Sequence, residues 1–218
     1  MTIDKFMNLT GLMILGLISF PEITFSQFSD PMYHVFYLHG KIVEQQGIEA
    51  EHERFGKYLY QDIIDSLSVG EVIMHHELRS SHTDFYTVGQ KVVRQIDSLI
   101  QIGVKPNHII VLGASKGGVI AMYISHLSLH PIKYVLLGAN NAFIEQQNDW
   151  QLHGNILAIV EASDQVAGRG FHYWKKCSPQ ATIQELTIST GLGHGFLYQP
   201  LAEWLLPTRD WIASAQGY

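Results

Sequence analysis

Six short runs rich in β-branched and aromatic residues recur along this chain with helically spaced segments between them, and that alternation restricts the fold more than any other feature. The runs are MYHVFYLHG (32–40), VIMHHEL (72–78), HIIVLGA (108–114), IKYVLLGA (132–139), ILAIVEA (156–162) and ATIQELTI (181–188). Strands that are apolar almost without interruption are buried on both faces, as in a parallel sheet covered by helices on each side. Between them, Tyr58, Ile63 and Leu67 share one stripe of a helix expected over 54–68, and Val88, Val92, Ile96, Leu99 and Ile100 share one over 88–103. The pattern predicts an α/β fold: a doubly wound, mostly parallel sheet of about six strands with helices on both faces. Neither internal repeats nor Pro-, Gly- or Ser-rich linkers divide it, so one domain is expected.

Composition removes several classes of function. An apolar content of 46% excludes a disordered chain, and a formal net charge of −6 argues against a nucleic-acid partner, which needs a basic face to displace counterions. Cys177 is the single cysteine; it has no second thiol with which to form an intrachain disulfide or a zinc site. The N-terminus differs from the rest. Lys5 precedes the apolar run GLMILGLISF (11–20) and the breaker Pro21. The run is too short to span a bilayer, which takes about 20 residues, and it reads as a secretory leader with Thr24 and Ser26 at the −3 and −1 positions of the cleavage site. The expected organisation is a signal peptide at 1–26 and a domain at 27–218, secreted or periplasmic, with no stable membrane anchor after removal. The competing reading makes residues 1–26 a first strand or an amphipathic helix packed on a cytoplasmic domain.

In a doubly wound sheet, chemistry gathers at the carboxyl ends of the strands. After the third run comes Gly113-Ala114-Ser115-Lys116-Gly117, a G-x-S-x-G sequence between a strand and a helix. Such a turn needs small residues two before and two after the serine and presents its oxygen at the head of the helix. A serine requires a base to take its proton, and an acid to orient that base, in the chain order Ser, Asp or Glu, His. Asp164, past ILAIVEA, supplies the acid, with Glu161 as its rival. His194, between Gly193 and Gly195 past the last strand, supplies the base, with His172 as a weaker alternative. The backbone N–H groups of Lys116 and of Lys41, which follows YLHG, are the expected oxyanion donors. His39 is expected to brace its turn through hydrogen bonds.

Together, YLHG (37–40), GASKGG (113–118), Asp164 in EASDQ and Gly193-His194-Gly195 resemble an α/β-hydrolase over roughly residues 32–212. The resemblance implies attack on an ester, thioester or similar acyl carbonyl of a small-molecule substrate through an acyl-enzyme, without a cofactor. Ser115 is then the nucleophile, His194 the base, Asp164 the orienting acid, and Lys41 and Lys116 the backbone donors. Many members insert a lid domain between the fourth and fifth strands, but residues 140–155 leave room only for a short helix or loop, which favours an esterase on soluble substrates over an interfacial lipase.

Other readings fit less well. VLGASKGGVIA is similar to the glycine-rich opening of short-chain dehydrogenases, yet it follows the third strand, no acidic residue ends the next one, and Tyr173 has Cys177 where a catalytic lysine would stand. An inactive binding protein on the same fold would not need the full Ser, Asp and His set. For a metal, His75 and His76 are adjacent on a strand and point to opposite faces, and His126 and His130 lack a third ligand. Glu77, Arg79 and Asp84 are expected to form a salt-bridge network bracing the loop after the second strand, or else to line the substrate site. Phe196, Tyr198, Trp204 and Trp211 read as a closing helix packed on the sheet rather than a ligand platform.

Overall fold

The computed structural model describes residues 32–147 and 149–214; the expected leader at 1–26 lies outside them. Chain order runs β1 (Tyr33–Leu38), α1 (Lys41–Gln46), a small antiparallel ribbon of β2 (Glu51–His52) and β3 (Gly56–Lys57), α2 (Tyr60–Leu67), β4 (Val72–His76), α3 (Phe85–Gln101) and β5 (Ile109–Ala114). It continues through α4 (Lys116–Leu127), β6 (Lys133–Leu137), α5 (Ala142–Gln147), β7 (Gly154–Glu161), α6 (His172–Cys177), β8 (Ala181–Ile188), a 3₁₀ turn at Gly193–Tyr198, and α7 (Ala202–Ala213).

All six long strands pair in parallel in the order β4-β1-β5-β6-β7-β8. Period-two alternation sends neighbouring side chains into two cores. Val35 and Tyr37 of β1, Ile110 and Leu112 of β5, and Leu157 and Ile159 of β7 join α2 and α7 in one. Phe36 and Leu38, Ile109 and Val111, and Ile156 and Ala158 join α3 and α4 in the other. This two-sided burial is why the strands lack polar alternation. Register keeps the pattern in step, with Leu112 opposite Val135 and Val135 opposite Leu157.

Lys133 begins β6 fully buried, yet its ammonium donates at 3.1 Å to the carbonyls of both Trp211 and Ile212. It thereby closes the C-terminus of α7, where orphan carbonyls need donors. Burial lowers its pKa to about 8.

One expectation changes here. The helix expected over 54–68 starts only at Tyr60, because Gly56 adopts a positive φ of 77° and pairs with His52 in the ribbon. Tyr58 is buried ahead of the helix, its hydroxyl 2.6 Å from that of Tyr37. As expected, among the described residues only the six-residue α5 stands between β6 and β7, where a lid domain would be inserted.

The strand order reverses between β1 and β5: the chain leaves β1 toward β4 on one side and continues from β5 toward β8 on the other. The crevice at such a switch point is open above the carboxyl ends of the two strands. Gly40 follows β1 and Ser115 follows β5, so both turns face that crevice.

Candidate active site

Ser115 has φ 53° and ψ −119° and is the one non-glycine residue with positive φ among those described. The surroundings hold it there. A Cβ on Gly113 would strike the Gly117 carbonyl, and one on Gly117 would strike the Leu38 carbonyl at the end of β1. Only glycine fits at both positions, so α4 packs directly against the strand ends and Ser115 is lifted into the crevice. Its amide donates to the Leu137 carbonyl at 2.9 Å, fastening the turn to β6.

His194 reaches it from the 3₁₀ turn. Ser115 Oγ lies 2.8 Å from His194 Nε2, and His194 Nδ1 lies 2.7 Å from Asp164 Oδ2. An ionised carboxylate only accepts, so Nδ1 carries the hydrogen and Nε2 is free to accept the serine's proton. The second carboxylate oxygen, Oδ1, accepts from the amides of Val166 (2.8 Å) and Ala167 (3.1 Å). Burial raises the Asp164 pKa, but the hydrogen bond and charge of His194, with those two amides, outweigh it and hold the carboxyl below its ordinary value.

The structure therefore brings Ser115, Asp164 and His194 together in one hydrogen-bonded chain. His172, the alternative base, lies elsewhere, exposed at the start of α6 beside Arg169 and Glu185. Glu161 is not the partner of the imidazole: its carboxylate accepts from Ser163, Thr190 and Gly191, while His194 Nδ1 meets Asp164.

Lys41 and Lys116 are the first residues of α1 and α4. Amides in a helix's first turn have no intrahelical acceptor, and the two helix starts add a positive potential where they meet. They meet closely: a Cβ placed on Gly40 would come within 3.5 Å of Ser115 Cβ.

A buried network braces the Gly40 turn. His39 Nδ1 donates to the Gly40 carbonyl at 2.9 Å, and its Nε2 accepts from the Arg79 amide at 3.0 Å. The Arg79 guanidinium donates to the His39 carbonyl and, from Nε, to Glu44 Oε1 at 2.9 Å. Lys116 Nζ pairs with the other oxygen of Glu44 at 2.5 Å. Burial first, and the neighbouring Arg79 charge second, push the His39 pKa down to about 4, leaving the ring neutral. His39 thus has the bracing role expected for it.

The cluster expected after the second strand separates into three jobs. Arg79 pairs with Glu44, Glu77 pairs with Lys91 on α3, and Asp84 caps α3 by accepting from the Thr87 amide at 2.8 Å. Glu44 was hidden from sequence reading: it looks like an ordinary polar position on a short helix, and only the crossover brings Arg79 over it. The histidine pairs also part company. His75 meets His34 while His76 meets the Tyr60 hydroxyl; His130 pairs with Asp97 while His126 sits by the Gln151 backbone.

Beside Ser115 opens a cleft of about 340 Å³. Phe55, Tyr58, Leu197 and Tyr198 supply aromatic and apolar surface to it, and Lys41, Gln45 and Val166 also line it. Sequence reading missed two parts of this lining. The ribbon places His52 and Phe55 in a stack 4.6 Å apart, and Phe55 packs against Gly195, where a Cβ would come within 2.9 Å of its ring. Tyr198, expected to serve only in packing, has its ring 5.1 Å from that of Tyr58 and faces the cleft. Phe196, Trp204 and Trp211 do pack in the core.

No family model and no curated protein matches the chain. Solved structures do. Arabidopsis thaliana SOBER1 aligns over 83% of this chain and 97% of its own at 14% identity, with a TM-score of 0.56. A lipase-esterase related protein from Clostridium acetobutylicum covers 82% and 94% at 12% identity and TM-score 0.52. A phospholipase/carboxylesterase from Dyadobacter fermentans covers 84% and 90% at 8% identity and TM-score 0.56. The chain has the α/β-hydrolase fold.

Proposed function

We propose that this protein is a serine hydrolase that cleaves esters or thioesters of compact acyl groups through an acyl-enzyme. The observation that carries this reading is the Ser115–His194–Asp164 chain, with bonds of 2.8 and 2.7 Å, at the switch point of the sheet. His194 Nε2 takes the proton of Ser115 as Oγ attacks the acyl carbon, and Asp164 stabilises the imidazolium that forms. The amides of Lys41 and Lys116 receive the oxyanion. His194 then gives its proton to the leaving alcohol or thiol. Water, deprotonated by the same nitrogen, releases the acid and regenerates Ser115. The similarity in fold to a lipase-esterase related protein and a phospholipase/carboxylesterase supports this choice of reaction.

A cleft of this volume lies at the small end of ligand sites, which run from about 300 to 1,000 Å³. Its aromatic wall suits a short or ring-bearing acyl group rather than a long chain. Ser115 lines the cleft and is partly exposed, so the nucleophile is accessible. Lys116 spends its charge on Glu44, which leaves Lys41 as the cleft-lining cation. We also propose that residues 1–26 are removed on export, which N-terminal sequencing of the exported protein checks.

A fluorophosphonate probe is expected to label the wild type and not Ser115→Ala, with hydrolysis of a p-nitrophenyl ester falling at least about 10³-fold. Equal labelling of both proteins, or of neither, overturns the reading.

A further inference from the structure

Immediately before His194, four consecutive residues direct their amides to one carboxylate or to hydroxyls bonded to it. Glu161 Oε1 accepts from the amides of Thr190 (2.9 Å) and Gly191 (3.0 Å) and from Thr190 Oγ1 (3.3 Å). Glu161 Oε2 accepts from the Ser163 amide and hydroxyl, both at 2.6 Å. The two hydroxyls then extend the reach of the carboxylate: Thr190 Oγ1 accepts from the Leu192 amide (3.2 Å) and Ser163 Oγ from the Gly193 amide (3.1 Å).

Glu161 is the last residue of β7 and 1% exposed, and it has no ion-pair partner among the described residues. Five neutral donors balance its charge. Burial raises its pKa, but the Ser163 and Thr190–Gly191 donors outweigh that and hold it below the ordinary value. The turn it gathers is one few side chains could follow, since Gly191 and Gly193 both have positive φ, 74° and 55°. Asp164 starts from the same place, its amide donating to the Glu161 carbonyl at 3.0 Å. One residue thus ties the loop bearing Asp164 to the turn bearing His194, although the two lie 30 residues apart.

We infer that Glu161 is a positioning residue, fixing the turn Thr190–Gly193 so that the His194 ring meets Asp164 and Ser115 at once. This rests on the reading of His194 as the base. Without the clamp, each glycine regains conformational freedom and the imidazole is no longer held within the narrow range that proton transfer from Ser115 demands. Misplacement of a reacting group by about 1 Å costs on the order of 100-fold in rate. A loosened Asp164–His194 bond also stabilises less well the imidazolium that forms as Ser115 attacks, and the pH dependence of labelling reads that loss.

The test is the second-order rate of fluorophosphonate labelling as a function of pH for wild type, Glu161→Ala, Glu161→Gln and Ser163→Ala. Circular dichroism selects a temperature at which each protein is folded. Glu161→Ala is expected to label about 100-fold more slowly, with the acid limb of its pH profile moved to lower pH. Ser163→Ala, which cuts only the Gly193 branch, should lie between it and wild type. If Glu161→Ala does not fold, Glu161→Gln and Ser163→Ala carry the test with the same directions. Folded variants that label within twofold of wild type, or that slow only in proportion to their unfolded fraction with the acid limb unmoved, overturn the inference. A wild type that is not labelled overturns instead the serine-hydrolase reading itself.

Discussion

Glu44 and Glu161 are both buried glutamates, and each holds one of the turns that meet at Ser115, but they are balanced in opposite ways. Glu44 lies between two cations, Arg79 at 2.9 Å and Lys116 at 2.5 Å, and the group steadies the Gly40 turn through the His39 carbonyl. Among the described residues Glu161 meets only amides and hydroxyls, and on the inference above it steadies the His194 turn. In a medium of low dielectric the two arrangements fail differently. Neutralising Glu44 strands a buried guanidinium, whereas neutralising Glu161 sets an amide NH₂ against N–H groups that also donate. The first is mainly a loss of folding stability, the second mainly a loss of geometry beside the imidazole.

The largest expected effect tests the charged side of this contrast. Side chains of Arg79 and Glu44 are each 2% exposed, and removing one partner of a buried pair costs about 3–5 kcal/mol. Glu44→Gln should lose that much in urea denaturation, and Glu161→Gln only about 1–3 kcal/mol. Equal losses would break the comparison.

A second effect follows from His39, neutral in the fold with a pKa near 4 against an ordinary 6.5. Its unfolded form binds a proton that the folded form refuses. Stability from this group is therefore complete above pH 6.5 and declines as pH falls from 6.5 toward 4, by about 3 kcal/mol. His39→Asn, measured by denaturation at both pH values, should show a much weaker dependence. The depressed carboxyls of Asp164 and Glu161 act in a lower window: their contribution is present above the ordinary carboxylate values of 3.8 and 4.5 and is lost as pH falls further through the folded values. A decline confined to that lower window would remove His39 from the account.

The smallest effect concerns the cleft. Phe55→Ala opens the wall beside Tyr198 and is expected to lower kcat/KM for short acyl esters about tenfold while shifting preference toward longer ones. Unchanged chain-length preference across a p-nitrophenyl ester series would detach the ribbon from substrate choice.

Much of the fold was legible because it is dictated locally. Runs such as IIVLGA carry their own burial on both faces, and Gly113 and Gly117 frame a serine that must take a positive φ. Less of the site was legible, because its walls and braces arise from segments far apart. The stripe that made Tyr58 look helical also fits a residue buried just ahead of a helix, where it packs on Tyr198. Periodicity alone does not separate the two.

By itself the sequence determined a parallel sheet covered on both faces and placed Ser115 and its candidate partners, Asp164 or Glu161 and His194 or His172, along the chain, since apolar period, strand ends and glycine placement are local properties; the fold chose Asp164 and His194. Only the tertiary structure decided that Arg79 pairs with Glu44, 35 residues away, rather than with nearby Glu77 or Asp84, and that Lys116 joins them across 72 residues. It likewise decided that the Phe55 ribbon walls the cleft and that Glu161 serves the His194 turn. The reason is that a charged or polar group selects its partner by what the crossovers bury beside it, and nearness in the chain has little say in that.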